Sequence, residues 1–239
     1  MCTVTLFFPK ANSFVLTSNR DEAVERKTLP PEFYTHDTVR MLYPKDTVAG
    51  GTWIGVSGRS SLVCLLNGGF VNHQREEPYR KSRGLVVREL LQHPNLREAA
   101  ETYVYHRIEP FTCICIHWSS VLKVFELVWD GVKAHIRDLD TLDTYIWSSS
   151  TLYSEPMKQK RRKWFADFET KEALNSSSIL EFHKTAGEGD LFSDLLIDRG
   201  ELKTCSITQV QHLNSETIMR YENLRNSKVF TTTFEEITV

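Results

Sequence analysis

Apolar and β-branched residues open the chain in two short segments, residues 2–8 and 13–19, separated by the polar residues 9–12. Such segments favour β-strands, and a short polar connection between them is typical of a hairpin. If Phe8 faces Ser13 across a four-residue loop, antiparallel pairing places Cys2 opposite Asn19. The hairpin would then bring residues 20–22 to the same end of the sheet as Cys2.

The rest of the chain shows blocks of strand-like and helix-like patterns. Strands are predicted at residues 52–56, 61–66, 110–118, 121–129, 132–137, 145–149, 203–210, 217–221 and 229–234. Apolar residues at helical spacing predict helices at residues 82–92, 96–105, 155–168 and 178–184. The last of these begins at Ser178, where residues 178–181 match a capping box. Because the helices do not alternate with single strands, the pattern favours an α+β fold, and 239 residues suffice for one domain with a sizeable core.

Cys2 follows the initiator methionine directly, and this position gives it a possible chemical role. Methionine aminopeptidase removes Met1 when the second residue is small, so the mature chain would begin with a cysteine that carries both a thiol and a free α-amine. A thiol of pKa about 8.5 can lose its proton to an α-amine of pKa about 8, which is how N-terminal nucleophiles are activated. The alternative is an ordinary second residue without a role.

Arg20 and Asp21 are the residues that the predicted hairpin brings towards Cys2. An arginine stays charged and offers fixed donors, whereas an aspartate only accepts hydrogen bonds. Together they could stabilise a thiolate and orient an ammonium group. The alternative is a solvated strand end with an Arg–Asp ion pair.

The start of the chain resembles a known family. Met1-Cys2-Thr3 with the tetrapeptide at residues 19–22 resembles the NRDE family, which includes the transport and Golgi organisation 2 proteins. Residues 50–55, 66–68, 151–153 and 205–208 also resemble that family. The opening is more distantly similar to bile-salt hydrolases and penicillin V acylases. This resemblance implies one N-terminal nucleophile hydrolase domain over residues 1–239, built as a four-layer α-β-β-α sandwich.

The resemblance also implies roles for particular residues in the hydrolysis of a non-peptide C–N bond of a small amide. Cys2 would be the nucleophile and, through its α-amine, the base, with Arg20 stabilising the thiolate and Asp21 orienting the amine. The oxyanion needs donors, and the candidates for this pocket are Asn19, Asn67 and Ser149. Asn67 could instead be a turn residue. Ser149 stands where the related acylases have asparagine, so the oxyanion hole is assembled differently or efficient amidase activity is lost.

A binding protein is the competing interpretation. The eukaryotic members of the family have been linked to haem handling, lipid homeostasis and Golgi organisation. A carrier or chaperone of this type would use the same pocket for haem or a lipid. The sequence fixes neither the ligand nor the oligomeric state.

Composition narrows the class of protein further. A net charge of −2 gives no attraction to nucleic acid or to an anionic membrane, and the basic run at residues 158–163 is predicted to be the solvated face of a helix. No segment approaches the roughly 18 apolar residues of a membrane span, so a cytoplasmic location is expected. Five cysteines without a C-x-x-C pair and eight scattered histidines predict no disulfide framework and no metal site. The proposed chemistry requires no cofactor.

Overall fold

The computed structural model describes residues 3–76 and 78–235 of the chain. Within these ranges the chain forms two antiparallel sheets, and it divides into two compact units. The first unit is Met1–Arg26 with Thr141–Thr233, and the second is Lys27–Asp140 with Phe234–Val239. The α+β class predicted from the sequence is confirmed.

The first unit contains a six-stranded sheet with two helices. Its elements are β1 (Thr3–Phe7), β2 (Phe14–Ala23), β10 (Tyr145–Ser148), α3 (Glu155–Lys171), α4 (Ser176–Thr185), β11 (Leu202–Leu213), β12 (Glu216–Asn223) and β13 (Lys228–Phe234). The strands lie in the order β10-β1-β2-β11-β12-β13, so that β2 and β11 are central. Apolar residues of β1, β2, α3 and α4, with one residue of the connection between α4 and β11, form a buried cluster that fixes the helices on one face of this sheet: Phe7, Val15, Phe165, Ile179, Phe182 and Leu195.

The second unit contains a seven-stranded sheet with two helices. Its elements are β3 (Thr28–His36), β4 (Val39–Asp46), β5 (Ile54–Ser57), β6 (Ser61–Asn67), α1 (Arg83–Gln92), α2 (Leu96–Thr102), β7 (Phe111–His117), β8 (Lys123–Trp129) and β9 (Ala134–Asp138). The strands lie in the order of the sequence, from β3 to β9. A Cβ atom on Gly51 would lie 2.3 Å from the carbonyl carbon of Gly84. Glycine is therefore required where the start of α1 approaches the 50–52 segment. Cys113 and Cys115 are buried in this unit.

The predicted register of the opening hairpin is wrong by one residue. Asn19 pairs with Thr3, and Phe7 pairs with Val15, so the pairing of Cys2 with Asn19 is excluded. The connection spans residues 8–13 rather than 9–12, and Asn12 within it has a φ of 54°. A one-residue shift moves every side chain to the opposite face, so the connection sets which residues face the helices. Cys2 itself lies outside the described residues.

Three further features differ from the prediction. Strands β3 and β4 were not predicted, because β3 contains Pro30 and Pro31 at a register shift in the edge strand, where a strand pattern is hard to recognise. Helix α4 begins earlier than Ser178, because Asn175 is the N-cap and Ser178 supplies the reciprocal hydrogen bond. The basic run on α3 is not uniformly solvated: Lys160 and Lys163 are exposed, but Arg161 is fully buried.

Candidate functional site

The helix-covered face of the first sheet carries a row of buried polar side chains. Strand alternation places Thr3, Thr5, Asn19 and Asp21 on this face, together with the apolar Phe7 and Val15. All four polar residues are at most 2% exposed. Buried polar groups are costly unless they are hydrogen-bonded, so their partners define what this face can do.

The carboxylate of Asp21 accepts hydrogen bonds from two hydroxyl groups. The Tyr153 hydroxyl donates to Oδ2, and Thr204 Oγ1 donates to Oδ1 at 2.5 Å. Thr204 faces Asp21 because β11 contains a bulge: Thr204 pairs with Asp21, but Ser206 pairs with Arg20. The extra residue between them changes the face on which Thr204 lies. Two donors therefore fix the orientation of the carboxylate at the end of β2.

Arg161 is the main residue of this region that the sequence analysis missed. Its guanidinium donates to Thr3 Oγ1 at 2.6 Å and to the carbonyls of Ser193 and Asp194, and it lies 3.5 Å from the centre of the Tyr153 ring. It thus connects the residue that follows Cys2 with the partner of Asp21. Helical spacing is the sequence feature that could have indicated its burial, since Arg161 lies four residues before the buried Phe165. The surrounding basic residues obscured that spacing.

Asn19 and His183 form a second buried pair. Asn19 Oδ1 is 2.8 Å from His183 Nδ1, and His183 Nε2 is 2.8 Å from Thr5 Oγ1. The Asn19 amide donates to the carbonyls of His183 and Leu195 at 3.2 and 2.9 Å. Because this arrangement uses both amide hydrogens, the oxyanion role predicted for Asn19 would require one of these hydrogen bonds to break. The pair holds α4 and the segment around Leu195 on the sheet.

Burial and the nearby Arg161 charge lower the pKa of His183 from 6.5 to about 3. The imidazole is therefore neutral at physiological pH. Since Asn19 Oδ1 can only accept, Nδ1 carries the hydrogen and Nε2 accepts from the Thr5 hydroxyl, given the assigned orientation of the Asn19 amide.

The buried His183 gives a prediction for stability against pH. As pH falls below about 6.5, the unfolded state takes up a proton on this histidine before the folded state does. The free energy of unfolding is then expected to fall between about pH 6.5 and pH 3, by roughly 1 kcal/mol per pH unit from this group. Urea unfolding of His183→Gln should show a smaller decrease over this range, whereas the exposed-site control His106→Gln should match the wild type. Equal slopes for all three proteins would contradict the prediction.

Arg20 lies on the face of the sheet opposite to Asp21 because consecutive strand residues alternate. It is 2% exposed, and its Nη2 is 3.4 Å from Glu22 Oε2. Arg20 and Asp21 are thus neighbours along β2, but their side chains lie on opposite faces of the sheet. Glu22 also approaches Arg26, with 3.8 Å between Oε2 and Arg26 Nε.

The two other oxyanion candidates lie in different units. Ser149 belongs to the first unit, where its hydroxyl is 3.0 Å from Thr151 Oγ1 and its carbonyl accepts from the Tyr153 backbone N–H. The turn that contains Ser149 therefore also carries the Tyr153 that binds Asp21. Asn67 belongs to the second unit, at the end of β6, opposite Phe111. Gly68 follows it with a φ of 85°.

No group of three His, Cys, Asp or Glu side chains in residues 3–76 and 78–235 is arranged to hold a metal ion. Likewise, no helix in the described part of the chain is long and apolar enough to cross a membrane.

Comparison with protein families matches residues 1–232 to the family described as Transport and Golgi organisation 2. The chain belongs to this family. The family resemblance seen in the first residues of the sequence is thereby confirmed over nearly the whole chain. A comparison with curated proteins gave no significant match.

Solved structures similar to this family member are hydrolases by name. Penicillin V acylase from Agrobacterium tumefaciens superposes with a TM-score of 0.58 at 11% identity, covering 96% of this chain and 85% of the acylase. A mutant of the conjugated bile acid hydrolase from Clostridium perfringens gives 0.54 at 10% identity, with 97% and 92% covered. The Caenorhabditis elegans orthologue of N-acylethanolamine-hydrolyzing acid amidase gives 0.58 at 13%, with 87% and 92% covered. At such identities the likeness shows the fold, which is that of the N-terminal nucleophile hydrolases, as predicted.

Proposed function

We propose that this protein is an N-terminal cysteine hydrolase that cleaves a non-peptide C–N bond in a small amide. The observation that carries the proposal is the buried Asp21 carboxylate, held by two hydroxyls beside the strand that follows Cys2. Apolar side chains would pack this region at lower desolvation cost. A fixed carboxylate in the strand beside β1 would have a function if it orients the α-amine of residue 2.

The proposed reaction uses the α-amine as the base. After removal of Met1, this amine takes the Cys2 thiol proton, and the thiolate attacks the amide carbonyl carbon. The C–N bond breaks as the α-ammonium returns the proton to the leaving amine, and water then hydrolyses the thioester. Arg20 stabilises the thiolate and Asp21 orients the amine. Asn67 and Ser149 stabilise the oxyanion, and Asn19 supports the substrate pocket. In this proposal residues 1–239 act as one domain, and the protein acts in the cytoplasm.

A second candidate is a carrier that binds haem or a lipid without chemistry. One observation favours it, since the amide hydrogens of Asn19 are both bound to carbonyls, and the family resemblance supports it by implying a serine, Ser149, in place of the asparagine of the acylases. A fold with too few oxyanion donors would retain a ligand pocket but lose most of its rate enhancement, because oxyanion stabilisation is usually the largest catalytic contribution.

Intact mass and peptide mapping after brief alkylation test the first step of the proposal. We expect Met1 to be absent and Cys2 to be labelled first, because a neighbouring arginine favours the thiolate. Cys64, Cys113, Cys115 and Cys205 are buried and provide the internal controls. Retention of Met1, or preferential labelling of Cys64 or Cys205, would remove the catalytic interpretation.

Turnover and binding assays then separate the enzyme from the carrier. The wild type is tested on N-acyl amino acids, bile-salt conjugates and phenoxyacetyl amides, with haem and fatty-acid titrations in parallel. Hydrolysis of any amide supports the proposal. Saturable binding of haem or fatty acid without hydrolysis of any amide supports the carrier.

A further inference from the structure

Arg199 is a second arginine beside the residues that hold Asp21. Its guanidinium carbon lies 5.3 Å from the centre of the Tyr153 ring and 4.2 Å from the centre of the Phe192 ring. Nε donates to the Phe192 carbonyl at 2.9 Å, and Nη1 donates to the Leu152 carbonyl at 3.2 Å. The guanidinium is therefore fixed in position next to the tyrosine whose hydroxyl binds Asp21.

One nitrogen of this guanidinium has no hydrogen-bond partner in the described part of the chain. Arg199 Nη2 is buried and makes no hydrogen bond to the described residues. The Asp190 carboxylate is close enough to sense the Arg199 charge, and it accepts hydrogen bonds from Phe192 N and Ser193 Oγ. An arginine is always charged, and a buried donor without a partner is costly. Such a group in a native protein calls for an explanation, and an absent ligand is one.

Apolar surface lies next to this unpaired donor. Leu191 and Phe192 are 57% and 58% exposed. Their segment is fixed on both sides, since the Asp194 carboxylate binds the backbone N–H groups of Glu188 and Gly189 and Arg161 binds the Ser193 carbonyl. A fixed cationic donor beside two exposed apolar side chains suits a ligand with one anionic end and an apolar body.

We propose that Arg199 binds the carboxylate of the substrate, so that the substrate is an amide carrying both an apolar acyl chain and a carboxylate. Nη2 donates to a carboxylate oxygen, while Leu191 and Phe192 contact the chain. This inference rests on the proposed hydrolase function for its location, because Tyr153 links Arg199 to Asp21. Arg199 is a specificity-determining residue in this assignment and takes no part in the chemical steps.

Two probes that differ only in charge test the assignment: N-decanoylglycine and its neutral carboxamide, N-decanoylglycinamide. Turnover of both is measured with the wild type, and binding of both is measured by calorimetry with Cys2→Ala. A charge-assisted hydrogen bond predicts a preference for the anion of about 10- to 100-fold. Arg199→Gln should bring this ratio close to one, and Arg199→Lys should retain part of it because the charge remains. The exposed Arg162→Gln is the matched control and should keep the wild-type ratio.

The outcomes for Arg199 and for the hydrolase are distinguishable. Hydrolysis of both probes at equal rates, or an anion preference that Arg199→Gln leaves unchanged, overturns the Arg199 site and leaves the hydrolase standing. Preferential binding of the anion that Arg199→Gln abolishes, without hydrolysis, supports the Arg199 site and counts against the hydrolase. If neither probe binds or reacts, the assignment of Arg199 to a carboxylate with an apolar chain is wrong.

Discussion

Replacing Cys2 with alanine is expected to lower amide turnover by at least about 10⁴-fold while leaving the fold and ligand affinity nearly unchanged. The substitution removes the thiol that is proposed to form the thioester. Cys2→Ser should retain a small residue of activity, because a hydroxyl is a much weaker nucleophile. The measurement is single-turnover hydrolysis of an amide that the wild type accepts, with circular dichroism as the check on folding.

Two further variants make this result specific. Cys115→Ala removes a buried thiol of the second unit and should retain the wild-type rate. Asp21→Asn keeps the size of the side chain but removes the charge that orients the α-ammonium, so a catalyst should slow by orders of magnitude. A carrier would tolerate both Cys2→Ala and Asp21→Asn. Undiminished turnover by Cys2→Ala would exclude Cys2 as the nucleophile.

Arg161→Ala is expected to lower the free energy of unfolding by about 3–5 kcal/mol, the largest stability effect predicted for this chain. The change leaves the Ser193 and Asp194 carbonyls and the Thr3 hydroxyl without their donor, and it removes the guanidinium from the Tyr153 ring. Buried acceptors without donors cost about 1–3 kcal/mol each. Urea unfolding followed by circular dichroism measures the difference.

The neighbouring Arg162 provides the control for Arg161. Its side chain is 50% exposed and pairs with Glu155, so Arg162→Ala should change stability by no more than about 0.5 kcal/mol. Arg161→Met should lie between the two, because the longer apolar side chain fills the space but supplies no donor. Equal stability of Arg161→Ala and Arg162→Ala would show that the buried guanidinium contributes nothing measurable.

Local patterns predicted most of the helices and strands, because the spacing of apolar residues depends only on near neighbours. They did not predict the partners within the candidate site. Asn19 and His183 are separated by 164 residues, and Asp21 and Thr204 by 183. Nothing in either segment alone identifies the other. The hairpin register depended on the backbone of the connection at residues 8–13, which includes an asparagine at positive φ.

Arg161 shows a different limit of sequence reasoning. A run of basic residues usually forms a solvated face, and for Lys160 and Lys163 this expectation is correct. Arg161 is buried because α3 turns that one position towards the sheet, where three acceptors and an aromatic ring replace water. Composition averaged over the run cannot distinguish the inward position from its neighbours, whereas helical phase can.

The bulge in β11 makes the pairing of that strand as important as its side chains. Before the bulge Thr204 shares the face of Asp21, and after it Ile207 shares the face of Asn19. Even-numbered residues before the bulge and odd-numbered residues after it therefore face the same side of the sheet. If the bulge were straightened while every residue was kept, Cys205 would pair with Asp21 and Thr204 would pair with Glu22. The hydroxyl that holds Asp21 would then turn to the other side of the sheet without any change in the chemistry of its side chain.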